Sequence, residues 1–358
     1  MSDRHTLENN KRQIIDRFSQ KSDITAFSQL ALTLIPYGIF WYLAIVSWPV
    51  SGLLTLLCGV FITLFLLRIF VLMHECGHNA LFATCRYNKI AGFLLGVLCG
   101  MPQYVWSKNH DFHHANNGNW ERYRGPLGTL TREEYTALSP RKQRLYHMTR
   151  NIFFAPVGGF LYLIFNPRYT WIKGSILLWS SVLKQKMATP GLPVASIIRD
   201  FKCRYWKNEK EYWHMTGNNI VLLSLWALMS IAVGPALFFT IYLLTLSIAG
   251  AGGIILFAVQ HNFEGSWAAD DKNWCYHRAA VEGTSFLLLP TWLNWFTANI
   301  AYHHIHHLSA RIPNYRLAAC HQEYEYLFAD VTRIKLRHIP AALKNNIWDV
   351  DHQRITTI

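Results

Sequence analysis

The sequence predicts an all-α integral membrane protein: four transmembrane helices paired as two hairpins, plus a cytoplasmic helical cap that carries clustered histidines. Three observations predict it. Of 358 residues, 51% are apolar and 15% charged, against about a quarter charged in soluble domains. Four apolar stretches reach membrane-spanning length. Lysine and arginine are almost wholly confined to the segments outside the two hairpins.

A spanning helix needs about 20 mainly apolar residues, because lipid offers no partner to an unpaired backbone group. Such stretches lie at about 26–48, 52–73, 218–233 and 236–259, the third being the shortest and needing a polar flank. The joints are short: Pro49, Val50 and Ser51 in the first pair, Gly234 and Pro235 in the second. Gly250, Gly252 and Gly253 would permit close helix packing on the fourth span. Two shorter apolar pieces, 90–101 and 152–165, read as interfacial or buried helices, with a re-entrant segment as the alternative. The stretch 171–186 reads as an amphipathic interfacial helix. The chain thus divides into an N-terminal segment (1–25), a membrane domain (26–325) whose histidine-rich regions are 74–216 and 261–325, and a C-terminal tail (326–358).

Net charge is +13, with 34 Lys and Arg against 21 Asp and Glu. Between residues 22 and 73 the only basic residue is Arg68, and between 217 and 260 there is none. By the positive-inside rule both termini and the segments between the hairpins are cytoplasmic. The excess charge then faces anionic headgroups, so no nucleic-acid partner is implied. Arg68 is expected to snorkel from the end of its helix, with a polar-site role as the second reading. Seven cysteines form no CxxC pair, and their odd number argues for reduced thiols. The polar N-terminus lacks the apolar core of a secretory signal.

Histidines carry the chemistry. His74 and His78 leave the second span at helical i, i+4 spacing, so both rings can reach one metal. His110, His113 and His114 form a second cluster, spaced as one helical face; His303, His306 and His307 repeat that spacing. His261 follows the fourth span at the same level. Nine imidazoles exceed the roughly four ligands of one zinc, and two metals with four or five each would use them all. Imidazole also suits copper, iron and nickel, so ligand type does not name the metal. Ligating rings need a partner for the other nitrogen; Glu75, Asp111, Asn262, Glu264 and Asp270 are nearest in sequence. His304 points about 100° from His303 and is expected to support the ligands from behind or to face solvent. The seven remaining histidines, His321 among them, read as surface residues.

The three boxes, HECGH, HDFHH and HHIHH, resemble those of the membrane fatty acid desaturase family in order and in placement relative to two hairpins. The run from Val259 to Glu264 is similar to the family's additional ligand histidine. The runs Ala280 to Phe286 and Arg311 to Tyr315 look like bacterial acyl-lipid desaturases. The resemblance covers about residues 30–325. It implies two iron ions, dioxygen as co-substrate, a cis double bond placed in a membrane-lipid acyl chain, and a bacterial inner-membrane location. With no HPGG-type haem signature in the sequence, it implies a separate electron donor, a ferredoxin or a b-type cytochrome. Oligomeric state is left open. A related di-iron hydroxylase or ketolase keeps the metal site and changes the product. An intramembrane zinc protease would use His74, His78 and Glu75 and leave the other boxes idle. A transporter or metal store would need polar residues along the spans, where only Arg68 stands out.

Overall fold

The computed structural model describes residues 2–125 and 127–357. Among them four helices are long and apolar enough to cross a membrane: Asp23–Ser47, Gly52–Gly77, Glu209–Val233 and Pro235–His261. Capping side chains start three of them. Ser22, Ser51 and Asn208 accept the backbone N–H of Thr25, Leu54 and Glu211 at 3.2, 3.4 and 3.0 Å, each covering a donor the helix leaves unpaired. The fourth begins after Gly234, whose φ of 90° suits glycine, with Pro235 in the first turn.

The spans pair as two hairpins, as predicted, and the second packs on the fourth. Half of the most apolar stretch of the second span and 44% of the fourth are buried, against 17% in the first and third. The second and fourth are therefore the inner helices. Leu32, Ile35, Ile39, Leu53, Leu56 and Leu228 stay exposed, as lipid-facing side chains would. Three boundaries differ from expectation. The third span begins at Glu209 rather than 218, because its first two turns are polar and carry no hydropathy signal. The second and fourth run on to Gly77 and His261, so each inner span delivers histidine on the rod that crosses the bilayer.

The shorter apolar pieces build the walls beside these spans. Residues 90–101 fall largely within the helix Cys85–Leu98, which turns through 103° into Gln103–Asn116. Residues 152–165 form a 3-10 turn, the helix Ala155–Phe160 and a π-helical stretch Leu161–Phe165, leading into the helix Asn166–Ala188. The interfacial helix expected at 171–186 lies inside that last element, with Ile172, Ile176 and Leu183 exposed. Close packing on the fourth span centres on Gly250: a Cβ there would stand 2.8 Å from Gly159 Cα, and one on Gly159 would stand 2.2 Å from the Ser247 carbonyl oxygen. Gly252 meets Leu67 at ordinary distance, and Gly253 borders open space.

Arg68 does not snorkel. It is 3% exposed, because the first span and the short helix Thr291–Phe296 supply partners where it stands. Its Nε donates to Thr33 Oγ1 at 2.9 Å, one Nη to Gln29 Oε1 at 3.1 Å, and the other to the Trp295 carbonyl. The C-terminal segment folds back on the rest of the chain through short strands. Thr332–Lys335 pairs in parallel with Ser285–Leu288, and Asn345–Asp349 lies between Leu130–Thr131 and Arg354–Thr357.

Candidate metal centre

All nine candidate imidazoles converge, in two groups. His74, His78, His110, His114 and His306 form one; His113, His261, His303 and His307 form the other. Within each group the ring nitrogens lie within 4.8 Å of one another. The second and third boxes are divided between the groups. His110 and His114 face the first while His113 faces the second; His303 and His307 face the second while His306 faces the first. The expectation of one three-imidazole face per box is thereby corrected: adjacent helical residues point about 100° apart, so a box can serve both sides of a seam.

The nitrogen spacing fits a cation. In the first group His110 Nε2 stands 2.8 Å from His74 Nε2 and 3.0 Å from His114 Nε2, which is 3.0 Å from His306 Nε2. In the second, His113 Nε2 is 3.2 Å from His307 Nε2, and His303 Nε2 is 2.9 Å from His261 Nε2. Two imidazoles about 2.1 Å from one ion and at right angles stand about 3 Å apart. A neutral ring nitrogen has one proton or one lone pair, so the three contacts that link the four nitrogens of the first group cannot all be good hydrogen bonds. His78 Nε2 is buried with no hydrogen-bond partner. A shared cation satisfies every one of these atoms. Burial, and then the neighbouring imidazoles, hold His303, His306 and His307 well below the usual histidine pKa, which keeps them neutral, the form that ligates.

The sequence matches the fatty acid desaturase family over residues 46–335. A fatty acid desaturase of Bacillus subtilis is 34% identical over 98% of this chain and 92% of its own length. The chain belongs to the fatty acid desaturase family. More distant relatives include an sn-1 oleoyl-lipid 12-desaturase of Anabaena variabilis, 22% identical over 89% of this chain and 81% of its own. An oleoyl-12-hydroxylase of Ricinus communis is 29% identical over about a third of each chain. The desaturase is therefore an oxidoreductase, and its clustered histidines suit a metal centre.

Of the side chains expected behind the imidazoles, two stand against them in the desaturase. Glu75 is fully buried, with Oε1 3.1 Å from His74 Nδ1 and 3.9 Å from His306 Nδ1. Asp111 Oδ1 lies 3.5 Å from His78 Nδ1, and Lys108 approaches its other oxygen at 3.7 Å. Both carboxylates serve the five-histidine group; among the described residues none stands against the four-histidine group. The other candidates are used elsewhere. Asn262 donates to Thr129 Oγ1 at 3.1 Å, Glu264 is exposed on the turn after the fourth span, and Asp270 accepts the Asn273 backbone N–H. His304 is fully buried rather than solvent-facing. Its Nε2 lies 3.1 Å from His321 Nδ1, between the rings of Phe286 and Phe328. Rotation away from His303 points it into the fold of residues 314–328, which also buries His321, expected at the surface.

An apolar cavity of about 870 Å³ reaches both groups, bounded by His74, His110, His113 and His303. Leu66, Phe70, Leu161 and Gly253 line it, with Trp106 and Phe257 at the imidazoles. The Trp106 indole stacks on His110 at 4.6 Å, and the Phe257 ring lies 4.9 Å from His113 and 5.2 Å from His261. Sequence alone assigns no cavity-lining residue: Trp106 is an aromatic close to a histidine box, for which ordinary packing is an equal reading, and Phe257 is not singled out. The available signal was helical spacing, since each lies four residues before a candidate ligand histidine, His110 or His261.

Proposed function

We propose that this desaturase uses dioxygen to introduce a cis double bond into the acyl chains of membrane lipids. In this reading it works with two iron ions and an external electron donor, a ferredoxin or a b-type cytochrome. The observation that carries the reading is the apolar cavity ending on imidazoles of both groups. One iron would be held by His74, His78, His110, His114 and His306, the other by His113, His261, His303 and His307. When bound, the iron pair supplies the oxidising chemistry, drawing on dioxygen and two electrons, that removes hydrogens from two adjacent methylenes.

The chain's own residues account for the rest. The walls exclude water, and each buried methylene adds about 0.8 kcal/mol, so depth of insertion selects the methylene pair beside the imidazoles. Glu75 stands behind the Nδ1 sides of His74 and His306, and Asp111 behind that of His78, where negative charge favours rings turned with Nε2 inward. Trp106 and Phe257 fix ring planes from the cavity side. Leu161 and Phe165 line the cavity and are about half exposed on the lipid-facing side. Sideways access from the bilayer supports a membrane-lipid substrate, as does the relative named for an oleoyl-lipid.

The charge asymmetry supports a cytoplasmic centre with both termini on that side, and the similarity to a Bacillus subtilis desaturase supports a bacterial inner membrane. A polar pocket of about 480 Å³ beside His78, bordered by Lys11, Lys108, Asp111 and Arg311, is where an acidic donor would come nearest to the imidazoles. The zinc-protease reading loses ground, because Glu75 faces ring nitrogens and a backbone N–H instead of open water.

Gas chromatography–mass spectrometry of host fatty acids, with double-bond location, tests the proposal. A new unsaturated species made by the wild type and absent with His306→Ala is the expected result. A hydroxylated product of the same dependence would transfer the site to the hydroxylase reading.

A further inference from the structure

A partly buried hydrogen-bond chain joins the one basic residue of the first hairpin to Glu75, the carboxylate behind two rings of the five-histidine group. Arg68 Nη2 donates to Gln29 Oε1 at 3.1 Å. The same oxygen accepts Asn314 Nδ2 at 2.8 Å, and Gln29 Nε2 returns a bond to Asn314 Oδ1 at 3.3 Å. The Asn314 backbone N–H then donates to Glu75 Oε2 at 2.9 Å. Glu75 presents its other oxygen to His74 and His306. Arg68 is itself fixed by Thr33, by the Trp295 carbonyl and by the Trp295 ring 4.0 Å away. Arg68, Asn314 and Glu75 are each at most 3% exposed.

A guanidinium is charged at every accessible pH, and removing it from water is costly unless it is paired or fully bonded. No carboxylate touches Arg68 among the described residues. It bonds instead to a reciprocal Gln29–Asn314 amide pair, and the backbone N–H of that same Asn314 meets Glu75. Packing alone would be met by a leucine or methionine at this point of an apolar helix, so retention of a buried cation calls for a polar task. The polar objects at the far end of its bonds are Glu75 and the two rings behind which Glu75 stands.

We propose that Arg68 is a positioning residue: through Gln29 and Asn314 it fixes the Glu75 carboxylate against His74 and His306. The inference rests on the reading of those histidines as iron ligands. It gives Asn314, within the RIPNY stretch, a task that spacing alone does not disclose.

The test is iron retention by the purified, iron-loaded protein under chelator competition, with Arg68→Gln, Asn314→Ala and the double variant. Asn314→Ala keeps the backbone N–H and removes the amide bridge, so it interrupts the chain while Arg68 keeps its bonds to Thr33 and the Trp295 carbonyl. Each single variant is expected to hold one of its two irons about tenfold less tightly, as loss of support behind a ligand does. The double variant should be no worse than either single one. Arg168→Gln is the control. That buried arginine bonds Asn219 and the Leu163 and Gly100 carbonyls, so its loss should lower thermal stability and leave iron affinity unchanged. Wild-type iron affinity in Arg68→Gln and Asn314→Ala, or losses that add in the double variant, would overturn the inference. A wild-type protein that binds no iron would overturn the ligand reading beneath it.

Discussion

His306 comes from the third box yet joins the group built mainly by the first two, with Nε2 3.0 Å from His114 and Nδ1 facing Glu75. Removing it opens the five-histidine group without touching a span. His306→Ala is therefore expected to abolish desaturation while leaving expression largely intact; full activity would remove His306 from the site. Glu75→Gln keeps the shape and deletes the charge behind two rings, and a 10- to 100-fold fall in metal affinity or activity is expected. A pH effect follows as well. The third-box imidazoles are held neutral by burial, so the unfolded chain binds more protons than the folded one. Metal-free protein should lose stability as pH falls through about 6.5, seen as a falling midpoint of thermal unfolding in detergent. The nine imidazoles were legible in the sequence because metal ligation imposes helical spacing that chance does not reproduce. Which rings join which group was not, since it depends on how four helices meet.

At the scale of elements, hydropathy marks the spans and underestimates their polar ends. The nine extra residues of the third span are helical because Asn208 caps them and because Glu211 and Tyr212 pack inside, neither of which a hydropathy window registers. The segment 155–165 was legible as apolar, but its seating depends on Gly159 meeting the backbone of the fourth span. Gly159→Leu should therefore destabilise the fold by at least the 1–3 kcal/mol typical of overpacking, measured by thermal unfolding in detergent. Gly253 differs, because a Cβ there meets nothing within 4 Å and the residue lines the cavity. Gly253→Phe is expected to retain iron and stability while losing activity on longer acyl chains. Unchanged chain-length preference in product analysis would place the acyl chain elsewhere.

For the whole molecule, one end of the bundle carries both the histidines and the positive charge. The inner spans bring His74, His78 and His261 to a common level, and the segments between the hairpins close over them. Lys108→Glu with Arg311→Glu reverses charge at the rim of the pocket beside His78. It should raise KM for an acidic electron donor several-fold at low salt, with less effect at high salt as screening grows; an unchanged KM would move the docking face. Class and spans followed from composition, whereas the folding-back of residues 326–357 did not, because short paired strands leave no strong pattern. The most direct test of the account is the iron-to-protein ratio of purified protein, compared with His78→Ala and His261→Ala, one from each group. About two irons in the wild type and about one in each variant is the expected result. A single metal, zinc in place of iron, or a variant that keeps both irons would contradict it.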